Sequence, residues 1–267
     1  MQTVPMIPLV DIHVHLLAGL DDGPKTEDEV FEMCRMLWQE GVRSVAALAH
    51  QNEQWPEVTC DCIRTAATRL REQLRKHEIP ISAYPSAEIM LRPDLDEVWP
   101  RGEYLSIADG NAYVLIEMPT GLFVDVRGIV SGLRSQGIRS ILAHPERHPE
   151  LLHDKGRIEQ LIRLGCLVQV SAHSLTDPSS REDHLALRGW VRRGIVHVIG
   201  SDGHSPDRRP PLMAGAYRCL AGWAGEAEAD RLCSTNSLAV LNGLSLKIPE
   251  PRAPDRRRWF SRFFRKQ

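Results

Sequence analysis

Short apolar runs alternate along the chain with longer amphipathic stretches. The apolar runs contain few polar residues, which is typical of strands buried on both faces. We predict strands at Leu9–His15, Ser44–Ala49, Ile81–Tyr84, Ala112–Glu117, Ser140–Ala143, Leu167–Ser171 and His197–Ser201.

The stretches between these runs have helical periodicity. Val30, Met33, Cys34 and Leu37, for example, fall on one helical face, and Gly41 follows as a helix-ending residue. We predict helices over Thr26–Glu40, Glu57–His77, Val124–Gln136, Lys155–Leu164 and Arg181–Arg193, with the last two in Leu212–Ala224 and Glu226–Leu244.

Seven strand–helix units indicate a parallel α/β architecture. An open doubly wound sheet and a closed barrel both fit this alternation. No glycine-rich phosphate loop follows the first strand, which disfavours a dinucleotide-binding fold. In a barrel the carboxyl ends of all strands meet on the face that carries the site. Histidine, aspartate and glutamate residues, which can bind metal ions, follow the predicted strands at those ends. We therefore prefer a seven-stranded, TIM-like barrel.

Histidine, aspartate or glutamate follows six of the apolar runs. His13 and His15 lie two apart in Asp11-Ile12-His13-Val14-His15, so a strand would point both rings to the same side. Imidazole is a common ligand of zinc, manganese and iron. A hydrogen-bonded histidine pair would explain this motif alone, but the recurrence at other strand ends favours a metal site.

Composition and charge narrow the class of protein. The 267 residues are 42% hydrophobic and 25% charged with a formal net charge of −2, which fits a globular protein and gives no case for nucleic-acid binding. We find neither a membrane-spanning apolar stretch nor a signal-peptide pattern. The six cysteines form no zinc-finger spacing and are interpreted as reduced thiols, so we predict a cytoplasmic protein.

The motifs resemble those of the PHP (polymerase and histidinol phosphatase) superfamily. The similarity is closer to its manganese-dependent protein-tyrosine phosphatases of bacterial capsule and exopolysaccharide systems. It runs over about the first 245 residues and rests on the D-D-G loop at 21–23, the H-P-E-R motif at 144–147 and the R-P-P segment at 209–211. The resemblance implies an α/β fold, a distorted TIM-like (β/α)7 barrel of the PHP type, and a metal-dependent phosphoric monoester hydrolase.

The resemblance also implies three divalent metal ions, with Mn²⁺ preferred and Fe or Zn as alternatives. One carboxylate, for which we favour Glu88, would bridge two ions. Asp21 is interpreted as a neighbour of the site, although it could exchange roles with Asp22. Gln51 departs from the family, which often has histidine or arginine there. The implied ligands are His13, His15, Asp22, His50, Glu88, Glu117, His144, Asp202 and His204.

Three cationic residues beside the motifs are candidates for binding the phosphoryl group. A guanidinium can hold two phosphate oxygens at once, and Arg147 and Arg209 lie within the family motifs. Lys25 is a weaker third candidate. No arginine stands six positions after any cysteine, as cysteine-dependent tyrosine phosphatases require. A tyrosine phosphatase of this sequence would therefore use metal-activated water.

Residues 251–267 differ from the preceding barrel, which we assign to residues 1–250. Trp259, Phe260, Phe263 and Phe264 would share one helical face among six Arg and Lys residues. Such a segment can bind an anionic membrane or dock onto a partner, and a solvated tail is the alternative.

Two enzyme functions and one non-catalytic function remain open from sequence. The favoured one is dephosphorylation of the tyrosine-rich tail of a bacterial tyrosine kinase that regulates polysaccharide export. A PHP phosphatase for a small phosphomonoester, such as histidinol phosphate, is the second. A metal-binding regulator without turnover is the third, and the complete ligand set argues against it.

Overall fold

Seven parallel strands form one continuous sheet in the computed structural model, which describes residues 7–154 and 156–253. Each strand pairs with the one that follows it in sequence, so the sheet advances in one direction around an axis. The strands are β1 (Leu9–His15), β2 (Val42–Gln51), β3 (Ser82–Met90), β4 (Tyr113–Glu117), β5 (Arg139–Leu142), β6 (Leu167–Ser171) and β7 (Val198–Gly200).

Helices connect successive strands and cover the outside of the sheet. The longest ones begin at side-chain caps: Thr26 forms a capping box with Glu29, and Thr59 and Ser180 accept backbone N–H groups. The helices are α1 (Glu27–Gln39), α2 (Cys60–Lys76), α3 (Leu95–Val98), α4 (Arg127–Ser135), α5 (Pro149–Leu152), α6 (Arg157–Arg163), α7 (Ala172–Thr176), α8 (Arg181–Arg193), α9 (Ala214–Ala224), α10 (Glu226–Asp230) and α11 (Asn236–Leu241).

The two edges of the sheet meet where β7 and the loop after it reach β1. The Asp202 N–H donates to the His13 carbonyl over 2.7 Å, and the His15 N–H donates to the Gly203 carbonyl over 2.9 Å. A Cβ at Gly200 would lie 2.4 Å from the His13 Cβ, so the absence of a side chain permits this approach. The sheet is a nearly closed, distorted TIM-like barrel, which confirms the predicted fold and excludes the open sheet.

A buried carboxylate braces this closure. Asp11 Oδ1 accepts the backbone N–H groups of His13 and Ser201, at 3.0 and 2.9 Å. Burial raises the pKa of Asp11 to about 6. Asp11 therefore links β1 to the segment after β7 through one side chain.

Apolar side chains fill the barrel below the site. Val10 and Ile12 of β1 belong to an apolar cluster that also contains Leu48 of β2, Leu115 of β4 and Val198 of β7. Residues from strands this far apart in the sheet can meet only in the barrel interior. A larger cluster packs the outer face of the sheet against the helices. The polar strand ends thus rest on a packed apolar base.

Most predicted strands and helices are confirmed within a few residues, but two boundaries were wrong. β3 continues to Met90, so Glu88 lies inside the strand and not after it. Pro85 and Ser86 interrupt the apolar pattern that would have revealed this length. The last predicted helix is divided into α10, a π-helical turn at Arg231–Thr235 and α11.

None of the helices within residues 7–154 and 156–253 is long and apolar enough to cross a membrane. The division into a barrel of residues 1–250 and a tail of 251–267 stays a prediction, because residues 254–267 lie outside the described part of the chain.

Candidate metal centre

The structure brings all nine predicted ligand residues together at the carboxyl ends of the strands. Glu88 lies at the centre of the group. Its Oε2 atom is 3.1 Å from His13 Nε2, 3.2 Å from His15 Nε2 and 3.4 Å from His50 Nδ1. Its Oε1 atom is 3.1 Å from His144 Nε2. Both oxygens of one carboxylate therefore face imidazole nitrogens.

A second carboxylate, Asp22, closes the exposed side of the cluster. Its Oδ1 atom lies 3.4 Å from His50 Nε2 and 3.3 Å from His204 Nε2. The His204 ring in turn stacks on His15 with centroids 3.8 Å apart. These contacts join the loop after β1 to the ends of β2 and β7.

The remaining carboxylates lie on either side of Glu88. Glu117 Oε1 is 3.6 Å from His144 Nε2, and Asp202 Oδ1 is 3.4 Å from His13 Nε2. Three overlapping sets have ligand atoms within 4.8 Å of one another: His15–Asp22–His50–His204, His13–His15–Glu88 and His50–Glu88–Glu117. Glu88 belongs to two of these sets, as expected of a bridging carboxylate.

Two of the cluster residues adopt left-handed backbone conformations. The φ angle is 32° at His144 and 56° at Asp202. Such angles are unfavourable for residues with a Cβ and are retained mainly where surrounding contacts impose them. Both residues stand just beyond the ends of short strands, β5 and β7. The left-handed turn directs each side chain back over the barrel mouth.

Asp21 supports the cluster from outside. Its Oδ2 atom lies 2.6 Å from His15 Nδ1 and accepts the His50 N–H over 2.9 Å, while Oδ1 accepts the Gly23 N–H. Although burial opposes it, His15 and these N–H groups lower the pKa of Asp21 to about 2. Both Asp21 oxygens are thus engaged, which favours Asp22 as the ligand of the two.

Gln169 orients two more histidines and was missed by sequence reasoning. Its Oε1 atom lies 3.0 Å from His13 Nδ1 and accepts the His144 N–H over 3.2 Å. A carboxylate or carbonyl partner on the second ring nitrogen is common for metal-binding histidines because it fixes the ring and its tautomer. The available signal was a polar residue in the middle of the buried strand β6.

The donor set and its burial fit divalent cations. Glu88 is 1% exposed, and the surrounding histidines hold its pKa well below the usual range although burial opposes this. Among the described residues, His13 Nε2, His50 Nδ1 and His204 Nε2 are buried and make no hydrogen bond of good geometry, although carboxylate oxygens of Glu88 or Asp22 lie 3.1 to 3.4 Å from them. Buried polar atoms rarely lack a hydrogen bond, so nitrogens that face carboxylate oxygens without one are placed as joint ligands of a metal ion would be.

Arg147 and Arg209 converge on one side of the cluster. Both guanidinium groups donate through Nη2 to Asp202 Oδ2, over 2.7 Å in the case of Arg209, and Arg147 Nη2 also donates to Ser171 Oγ over 3.1 Å. Lys25 instead donates to the Asp21 carbonyl and braces the loop after β1. The structure thus places the two arginines beside the cluster and Lys25 on the loop, and the phosphate-binding role of all three stays a prediction.

A barrel with a histidine–carboxylate cluster at the carboxyl ends of its strands defines a class of metal-binding α/β barrel proteins. Comparison with known families specifies which one. Residues 9–242 match the family described as "Capsular polysaccharide synthesis, CpsB/CapC", and the chain belongs to this family. The family resemblance predicted from the motifs is confirmed.

Relatives in this family are similar over nearly their whole length. The chain is 27% identical over 240 residues to tyrosine-protein phosphatase CpsB of Streptococcus agalactiae serotype III (strain NEM316), covering 87% of this chain and 98% of that protein. It is 26% identical over 263 residues to tyrosine-protein phosphatase YwqE of Bacillus subtilis (strain 168), covering 96% and 100%.

A solved structure has the same fold. It comes from work on YwqE of Bacillus subtilis and CpsB of Streptococcus pneumoniae, described as unique metal-dependent tyrosine phosphatases. The TM-score is 0.85 at 26% identity, and the match covers 93% of this chain and all of that one.

The two adjacent aspartates allow a direct test of the site. We expect Asp22→Ala to bind fewer ions per chain even at saturating Mn²⁺, because a ligand is lost. Asp21→Asn should reach the full number of ions with an affinity about 10- to 100-fold weaker, as for other partners of ligand histidines. Metal titration followed by elemental analysis measures both quantities, with circular dichroism as the control for folding. The reverse pattern would exchange the roles of the two residues.

Proposed function

We propose that this protein is a metal-dependent protein-tyrosine phosphatase. Its substrate is a phosphotyrosine protein, for which we favour a bacterial tyrosine kinase that regulates polysaccharide export. The observation that carries the proposal is the position of Arg147 and Arg209, which both meet Asp202 at the edge of the metal cluster. Relatives that align along nearly the whole chain are named tyrosine-protein phosphatases, which gives independent support.

We assign three divalent ions to the cluster, with manganese as the preferred metal. Nitrogen and oxygen donors without a thiolate suit manganese, iron or zinc. When bound, such ions supply hydroxide near neutral pH and neutralise charge on a phosphoryl group. The residues that would hold them are His13, His15, Asp22, His50, Glu88, Glu117, His144, Asp202 and His204.

Arg147 and Arg209 bind the phosphoryl oxygens in this proposal. Their side chains are 40% and 44% exposed, whereas their shared partner Asp202 is 3% exposed. Each guanidinium keeps further N–H donors free to point outward, because one nitrogen suffices for Asp202. The arginines orient the phosphate against the cluster and stabilise the charge that develops during transfer.

The cysteines are poorly suited to act as the nucleophile. Cys34 and Cys166 are buried, and burial raises the pKa of each thiol to about 12. A thiol in that state is protonated at neutral pH and unreactive. Cys62 is exposed, but it lies in the first turn of α2 and belongs to none of the ligand sets. The structure therefore favours water as the nucleophile.

A phosphotyrosine peptide, a phosphoserine peptide and histidinol phosphate distinguish the alternatives. After metal removal we expect no phosphate release, and after Mn²⁺ addition we expect release fastest from phosphotyrosine. Preference for histidinol phosphate would support the small-molecule alternative, and no turnover with a fully loaded site would support a regulator. Full activity of a thoroughly metal-stripped sample would contradict hydrolysis by metal-activated water.

Removal of Arg147 tests the role of the arginines. Arg147→Ala should keep its metal content and lose about 10²- to 10³-fold in rate, as is typical when a donor aimed at developing charge is removed. Arg69→Ala, on the exposed side of α2, is the matched control and should retain its rate. A change of less than about threefold with metal retained would make Arg147 a structural partner of Asp202 alone.

We further propose that the basic, aromatic tail docks onto an anionic membrane. The last described residues support a position away from the site: the Arg252 N–H donates to the Arg193 carbonyl over 2.8 Å. Arg193 ends α8 just before β7, hence on the face opposite the strands' carboxyl ends. A tail that begins there can bind a membrane while the catalytic face stays open.

Deletion of residues 254–267 tests this role. We expect hydrolysis of a small aryl phosphate to stay unchanged, because none of the nine proposed ligands lies in the tail. Sedimentation with phosphatidylserine vesicles should decrease, and salt should weaken the remaining binding because exposed charges are screened. Equal vesicle binding with and without the tail would leave it as a solvated extension.

A further inference from the structure

A large cleft lies beside the metal cluster, at the ends of β2 and β3. Its volume is about 1010 Å³, and its lining begins at Gln51 and Met90, directly after the ligand His50 and two residues after Glu88. Pockets for small molecules usually measure about 300–1,000 Å³ and enclose the ligand. This cleft is at the upper limit for a small phosphomonoester and suits a longer molecule.

Trp55 forms a wall that the cleft shares with the metal cluster. Its ring is nearly parallel to His50, with an interplanar angle of 7° and centroids 5.1 Å apart. The turn that holds it is fixed by Asn52, whose Oδ1 accepts the N–H groups of Gln54 and Trp55 at 2.8 and 3.3 Å. A substrate bound at the cluster thus meets an aromatic surface on this side.

Gln51 holds the two walls of the cleft together. Its Nε2 atom donates to the Val58 and Glu103 carbonyls over 3.2 and 3.3 Å, and its Oε1 accepts the Leu105 N–H over 2.8 Å. Gln51 is 4% exposed, so these bonds are shielded from water. The uncharged amide of Gln51 therefore serves as a structural clamp. The cleft is preformed.

The charges along the cleft are predominantly negative. Its arginines are already neutralised: Arg92 makes two bonds to Asp94, at 2.6 and 2.8 Å, and Arg64 makes two to Asp109, at 2.8 and 2.9 Å. Glu103 makes a long ion pair with Arg101, at 3.9 Å, and both side chains are exposed. Glu53 is exposed and makes no ion pair within the described residues. Glu53 is thus free to bind a cationic group, and Glu103, which is held only by a long ion pair, can exchange Arg101 for one.

We infer that this cleft binds the polypeptide segment next to the phosphotyrosine and that Glu53 and Glu103 favour lysine or arginine in that segment. The inference rests on the proposed phosphatase function and adds a basis for substrate choice. The phosphate occupies the cluster beside Arg147 and Arg209, and the peptide extends past Trp55 into the cleft. Opposite charges at exposed positions attract modestly, so the preference is graded and salt-dependent.

Phosphotyrosine peptides of equal length with lysine, alanine or glutamate flanks test the inference in the metal-loaded, full-length protein. We expect kcat/KM to fall in the order lysine, alanine, glutamate, mainly through KM. The Glu53→Gln, Glu103→Gln double variant should reduce the lysine-to-glutamate ratio roughly threefold to tenfold. Glu32→Gln, Glu72→Gln changes two exposed carboxylates on α1 and α2 and is the matched control.

The outcomes separate this inference from the proposed function. Metal-dependent hydrolysis of an aryl phosphate gauges the catalytic site alone, and its absence would overturn the phosphatase assignment. If that hydrolysis is present but the flanks do not affect KM, the cleft does not bind the peptide. An unchanged lysine-to-glutamate ratio in the double variant, or an equal decrease in the control, would refute the role of Glu53 and Glu103.

Discussion

The burial of one carboxylate, Glu88, dominates the organisation of this protein. Taking an isolated carboxylate out of water costs several kcal/mol unless opposite charge or hydrogen bonds compensate. Here imidazoles from His13, His15, His50 and His144 surround both of its oxygens. These histidines come from β1, the end of β2 and the residues after β5. The buried charge of Glu88 can therefore be compensated only when the barrel is assembled.

The contacts around this cluster make its geometry rigid. Gln169 and Asp21 each hold one ring nitrogen of a histidine and one backbone N–H, so ring and chain are positioned together. Asp11 fixes the junction where the sheet closes. Such preorganisation matters for phosphoryl transfer, because positioning and electrostatic stabilisation supply most of the rate increase.

The sequence predicted the strands, and it predicted that the proposed ligand residues would meet at their carboxyl ends, because both follow local rules. Apolar runs mark buried strands, and parallel strands bring the residues at their carboxyl ends together. Three features depended on contacts between distant residues. Glu88 lies inside β3, whose full length was not predicted because Pro85 and Ser86 interrupt the apolar pattern. Gln169 contacts His13, which lies 156 positions earlier in the chain. Closure of the barrel depends on the close approach of Gly200 to His13. No local pattern specifies such pairs.

The proposed role of Glu88 as a carboxylate that two metal ions would share at the barrel mouth can be tested directly. Crystals grown with Mn²⁺ and measured across the manganese absorption edge would locate the ions directly by anomalous scattering. We expect separate peaks on both sides of the Glu88 carboxylate, within reach of His13 and His15 on one side and Glu117 on the other. A single ion remote from Glu88, or full phosphotyrosine hydrolysis in crystals without any such peak, would contradict it.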